Sequence, residues 1–195
     1  MLKETITMPM TERFHFAFAY AADLHRDQVR KGSGVPYIAH LMSVSALALE
    51  HGATEDEAIA ALLHDAVEDQ GGDATREEIR RRFGENVTEI VNGLTDTDTW
   101  PKPPWRQRKE AYIAHLTEAS PSVLLVSICD KLHNATSILR DYRRLDEDLW
   151  PRFRGGKDGT LWYYRTLVTS FRKYFDSPLV DELDKVVTEL EKLAS

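Results

Sequence analysis

One cysteine, Cys129, is the entire thiol complement of this 195-residue chain. An internal disulfide is excluded, which fits a reducing compartment. Long apolar runs are missing as well. No stretch approaches the roughly eighteen apolar residues of a membrane-spanning helix, so no membrane partner is expected. The opening MLKETITMPMTERFHFAFAY places no apolar block behind a basic start and does not read as a signal peptide. A cytoplasmic location is the expectation. Positive charge is also in short supply: 32 Asp and Glu stand against 25 Lys and Arg, for a net charge of −7. General nucleic-acid binding needs a basic footprint, so no nucleic-acid partner is expected. Strand-like alternation and internal repeats are absent too.

What is present is helical patterning. Thr11 is a candidate cap for a helix running to about Arg30. Leu41–His51 forms a second, closed by Gly52. Thr54 with Glu57 and Thr75 with Glu78 match the capping-box spacing for two more. Gly84 separates the latter from Glu85–Leu94, and WPKPPW breaks the chain before Arg106–Ala119. Pro121 opens a helix reaching about Tyr142, RFRGGKDG reads as a loop, and Thr160–Phe175 follows. The last helix starts at Pro178. It aligns Leu179, Val180, Leu183, Val186, Val187, Leu190 and Leu193 at spacings of three and four. That stripe can cover the chain's own core or pair with a second copy, which leaves a homo-oligomer open. The expected architecture is all-α: a single domain over residues 1–195, its helices folded around a site rather than in a plain four-helix bundle.

The segment AALLHDAVEDQ sets an apolar helix face beside four ionisable residues. With about 100° per residue, Ile59, Leu62, Leu63 and Ala66 share one face. His64, Asp65, Glu68 and Asp69 gather on the other. That face is either solvated or organised by a cation. Small residues flank it, and no Lys or Arg lies among the three carboxylates to offset their repulsion. A metal ion would. One His and one Asp cannot hold a metal alone, so other segments must contribute. In LLVSICDKLHNATSIL, Asp130, His133, Asn134 and Ser137 lie opposite an apolar stripe. Asp130 is costly to bury unpaired: it either meets a base such as Arg140 or ligates a metal. In VRKGSGVPYIAHL, Pro36 leads into a helix whose first turn carries His40. Alone, His40 is equally a surface or core residue.

Four stretches, HRDQVRKGSGVPYIAH, ALLHDAVED, RFGENVTEIVNGLTD and CDKLHNA, occur in this order. Together they resemble the hydrolase domain of RelA/SpoT-type enzymes, within the HD-domain phosphohydrolase superfamily, and above all its short stand-alone hydrolases. The likeness runs from about Phe16 to Leu139, with C-terminal helices over residues 158–194 expected to pack on that core. The resemblance implies a buried divalent metal, usually manganese, held by His40, His64, Asp65 and Asp130. It implies that Glu68 and Asp69 position and activate the attacking water. Arg30, Lys31 and Asn134 match nucleotide contacts, with Ser137 on the same side. The implied reaction is removal of pyrophosphate from the 3′ position of guanosine tetra- or pentaphosphate, releasing GDP or GTP. The 56 residues from Arg140 to Ser195 are too few for a synthetase domain, so no synthesis is expected. Departures fall toward the substrate. Leu41 stands where the family usually has Pro, Gln70 where it commonly has Thr, and Ala135-Thr136-Ser137 where Met-Arg-Thr is frequent. Another nucleotide substrate, such as a deoxynucleotide or phosphorylated dinucleotide, is the rival enzyme reading. A catalytically silent nucleotide-binding module is the rival of another class. The aromatic and Arg residues of GTLWYYRTL are either substrate contacts or core.

Overall fold

Thr11 caps the first helix, α1 (Glu12–Leu24), by accepting a hydrogen bond from the Arg13 amide. The computed structural model describes residues 9–31, 33–96 and 101–195. Residues 1–8 of the opening segment, Gly32 of the basic loop and Trp100 of the Pro-rich break lie outside them. Helix α1 stops at Leu24, six residues short of the expected Arg30. Backbone bonds across a turn replace the helical ones. The Arg30 amide donates to the Val35 carbonyl at 2.8 Å and the Tyr37 amide to Gln28 at 2.9 Å. The resulting Val29–Pro36 bridge is the only β pairing among the described residues.

The chain continues as α2 (Ile38–Glu50), α3 (Glu55–Leu63), α4 (Ala66–Asp69), α5 (Asp73–Phe83) and α6 (Glu85–Leu94). After these come α7 (Trp105–His115), α8 (Pro121–Leu145), a 3-10 turn (Asp146–Arg152), α9 (Gly156–Tyr174) and α10 (Pro178–Leu193). Thr54 and Glu57 form the reciprocal capping box at α3. Thr75 does not cap α5. That helix starts two residues earlier behind Gly72, whose φ of 60° suits a glycine, and the Thr75 hydroxyl instead donates to the Gln70 carbonyl at 2.5 Å. The loop expected over RFRGGKDG is shorter than its glycines imply. The Trp105 ring lies 2.7 Å from where a Cβ on Gly155 would sit and 3.1 Å from one on Gly159. Those glycines make room for a tryptophan, and α9 runs through the second.

The core sits where α2, α3 and α8 meet. Leu41, Val44, Ile59, Leu62, Leu63 and Ile128 are all buried there. Each such side chain contributes roughly 1.5–3 kcal/mol by leaving water. Pro121 at the first turn and Ser120 as cap start α8, whose 25 residues are long enough to reach α2, α3, α6, α9 and α10. Helix α10 lays Leu179, Val180, Leu183, Val187 and Leu190 on α8 and α9. Val186 is half-buried and Leu193 remains 46% exposed. Among the described residues, no helix is long and apolar enough to cross a membrane.

Candidate metal centre

The helix expected to run through His64 to Asp69 is broken. Helix α3 ends at Leu63 and α4 begins at Ala66, so His64 and Asp65 occupy the turn between them. On a continuous helix, consecutive side chains diverge by about 100°. Here His64 Nε2 comes within 2.9 Å of Asp65 Oδ2. His40 reaches the same point from the first turn of α2, with Nε2 3.7 Å from Asp65 Oδ2. Asp130 arrives from the middle of α8, with Oδ1 3.2 Å from His40 Nε2 and 3.5 Å from His64 Nε2. Three segments distant in sequence thus converge on one small volume. Arg140 is not the partner of Asp130. The carboxylate instead accepts from Lys131 and from Asn134 Nδ2, and Arg140 is exposed.

Both histidines are buried, and their Nε2 atoms have no aligned hydrogen-bond partner. Each ring is held through its other nitrogen. His64 Nδ1 donates to the Ala61 carbonyl at 2.8 Å, which orients the ring with Nε2 toward Asp65 and Asp130. His40 Nδ1 lies 2.8 Å from His133 Nδ1. Buried ring nitrogens without aligned partners are costly, and here both face the two carboxylates. His40, His64 and Asp65 offer ligand atoms within 4.8 Å of one another, and Asp130 borders them. Two imidazoles and two carboxylates suit a divalent cation of intermediate hardness.

The electrostatics show what an ion would balance. Burial opposes charge on His64, but Asp65 and Asp130 outweigh it and hold its pKa well above the usual value. Burial dominates at His40 and lowers its pKa. Burial also opposes ionisation of Asp130, yet Lys131 and the two histidines hold its pKa well below the ordinary carboxylate range. Asp65 is likewise held low against burial, chiefly by His64. Burial and the neighbouring Asp65 push the Tyr37 hydroxyl far up, so it keeps its proton and donates a hydrogen bond to Asp65 Oδ2 at 2.6 Å.

The remaining candidates ring this cluster. Glu68 is half-buried and accepts from Lys102 Nζ at 2.8 Å. Asp69 is exposed at the end of α4 and accepts from Gln28 Nε2 at 2.8 Å. Arg30 donates to Asn134 Oδ1 at 2.6 Å, which links the basic turn to α8 beside Asp130. Lys31 is exposed on that turn, and half-buried Ser137 lies one helical turn beyond Asn134. Arg165 is committed elsewhere: its guanidinium binds Asp184, Thr188 and Glu191 of α10. Trp162 is half-buried beneath the Arg106 guanidinium, 3.2 Å from the ring centre. A cavity of about 180 Å³ adjoins the cluster, with Lys109, Lys131, Asn134, Tyr163 and Tyr164 in its walls.

Sequence reading missed Tyr37, Lys131 and Lys102, and placed His133 on the polar face without a role. Tyr37, Lys131 and His133 sit inside the quoted motifs PYIAH and CDKLHN, so proximity to a singled-out residue was the available signal. Lys102 comes from the Pro-rich break and had none.

The HD domain family model matches residues 17–161. A guanosine-3′,5′-bis(diphosphate) 3′-pyrophosphohydrolase MESH1 of Xenopus tropicalis is 38% identical over 138 residues, covering 69% of this chain and 72% of the relative. The Homo sapiens MESH1 is 37% identical with the same coverage. A solved structure described as a metazoan ortholog of SpoT that hydrolyzes ppGpp superposes with a TM-score of 0.75 at 30% identity. The superposition covers 94% of this chain and 98% of that one. Converging helices, a buried His/Asp cluster and these similarities lead to one assignment: the chain belongs to the HD-domain family, in the group that includes the MESH1 pyrophosphohydrolases.

Proposed function

We propose that this protein hydrolyses guanosine 3′,5′-bis(diphosphate) at its 3′ position, releasing pyrophosphate and GDP, and GTP from the pentaphosphate. The observation that carries the reading is the pair of buried, partnerless Nε2 atoms of His40 and His64 facing Asp65 and Asp130. These four side chains would hold one divalent ion, manganese by the donor set and the family's habit. When bound, such an ion supplies Lewis-acid polarisation of a phosphoryl oxygen and a water of lowered pKa.

The chain's own residues do the rest. Glu68 and Asp69 orient the attacking water and accept its proton. The water oxygen bonds to the phosphorus attached at the ribose 3′ oxygen. The bond from that phosphorus to the 3′ oxygen breaks, and the 3′ oxygen takes up a proton. Arg30 and Lys31 hold the nucleotide; Arg can fork onto phosphate or stack on a base, and Lys acts as a point charge. Asn134 and Ser137 face it from α8. Lys102 keeps the Glu68 carboxylate directed through its ion pair. The lone buried Cys129 agrees with a cytoplasmic setting.

The test is a nucleotide panel with manganese and product analysis. Guanosine tetra- and pentaphosphate, deoxynucleotides and a phosphorylated dinucleotide are each incubated with the protein. Pyrophosphate and GDP from the tetraphosphate support the reading. Turnover of another nucleotide alone, or release of single phosphate, overturns it.

A further inference from the structure

Gln70 follows Asp69 and has no role in the reaction as written. Its Nε2 donates to Gln28 Oε1 at 2.6 Å. That same oxygen lies 2.7 Å from His25 Nδ1. The other end of the Gln28 amide, Nε2, donates to Asp69 Oδ2 at 2.8 Å. A glutamine amide can sit either way round, and its partners decide which. Asp69 can only accept, so Gln28 turns Nε2 to it, and Oε1 is left to accept from Gln70 Nε2 and from His25 as its Nδ1–H tautomer. The flipped amide would set N–H groups against donors and an oxygen against a carboxylate. His25 is 2% exposed and stacks on Tyr37 with ring centres 5.3 Å apart, so its ring is held. Asp69, by contrast, is exposed on the last residue of a four-residue helix. Little else holds its carboxylate in one rotamer.

We infer that Gln70 is a positioning residue for the water-activating carboxylate: it locks the Gln28 amide so that its N–H holds Asp69 Oδ2 and leaves Oδ1 for the water. The inference rests on the proposed role of Asp69. Gln70 acts only through Gln28, so its loss should have no further effect once Gln28 is gone.

The test compares Gln70→Glu, Gln70→Ala, Gln28→Ala and the double variant Gln28→Ala/Gln70→Ala. Each is the full chain with manganese and guanosine 3′,5′-bis(diphosphate). Gln70→Glu is close in shape but replaces the donor with an acceptor. It should lower kcat roughly tenfold, about the worth of one charge-assisted hydrogen bond. KM should stay within about twofold, the scatter expected where uniform binding is intact, with manganese affinity and Tm unchanged. The double variant should be no slower than Gln28→Ala, a coupling that a merely structural role does not produce. The Gln28 side-chain amide resonance should also move in Gln70→Glu without substrate, a readout independent of turnover. Wild-type kcat in Gln70→Glu, losses that multiply in the double variant, or an effect confined to KM would overturn the inference. Asp69→Asn separates the two ideas. If it retains full kcat, the role of Asp69 fails. If it falls while Gln70→Glu does not, only the role of Gln70 fails.

Discussion

Tyr37 donates its hydroxyl to Asp65 Oδ2 at 2.6 Å, joining the start of α2 to the turn after α3. The same carboxylate oxygen faces both His40 and His64. A donor behind a candidate metal ligand fixes its orientation, and removing such a partner typically costs 10–100-fold in affinity. Tyr37→Phe should therefore weaken manganese binding by about that factor while the protein stays folded. Isothermal titration against the wild type measures it, and equal affinities would show that Asp65 is positioned without Tyr37.

Glu68→Gln keeps shape and hydrogen bonding but cannot take a proton. Turnover should fall on the order of 10²–10⁴ with metal content unchanged. A near-normal kcat would transfer proton acceptance to Asp69.

Stripping the ion should destabilise the fold. Without it, Asp65 and Asp130 face each other's charge beside two partnerless imidazole nitrogens. Ligand that binds only the folded state adds about 2.7 kcal/mol at a hundredfold excess over Kd. Thermal unfolding with chelator, then with added manganese, should show a fall and a recovery of Tm. A Tm indifferent to both would count against an ion at this cluster.

Much of the fold was readable because helix periodicity survives packing. The stripe of α10 and the capping box at Thr54 are local features set by local residues. The cluster was readable for a different reason. His64, Asp65 and Asp130 are polar residues inside apolar segments, where each carries a desolvation cost that calls for a partner. The break between α3 and α4 was not readable, since the apolar periodicity runs through it without a Gly or Pro to mark an interruption. Thr75 was misread as a cap because Gly71 and Gly72, just before it, already reverse the chain with φ of 122° and 60°. Lys102 reaches Glu68 across 34 residues, a pairing with no local signature.

Cys129 offers a test of the core. Burial first, then nearby Asp130, pushes its thiol up from 9.0 to about 12. The reactive thiolate is then nearly absent at pH 8. A thiol reagent should label the native protein only as fast as it unfolds, and labelling in urea should be immediate. The sign for stability follows. A thiol whose pKa is raised by folding leaves stability intact below pH 9 and erodes it as pH rises toward 12. Fast native labelling would mean that α8 opens around Cys129.

The residues after Leu139 complete α8 and form α9 and α10, which pack on it. The purified chain, given GTP or GDP with ATP and magnesium, should transfer no pyrophosphoryl group to the guanosine 3′ position. Product that grows in proportion to protein would contradict this.

The turn that carries His64 and Asp65 divides the cluster into two kinds of support. These two residues are neighbours in the chain, and the turn between α3 and α4 keeps their side chains within reach of each other. His40 and Asp130 have no such tether and are brought in by α2 and α8. The completeness of the site is thus a gauge of helix packing: a core that loosens leaves a two-armed grip in place of a four-armed one. Ion affinity and core integrity become one measurable quantity.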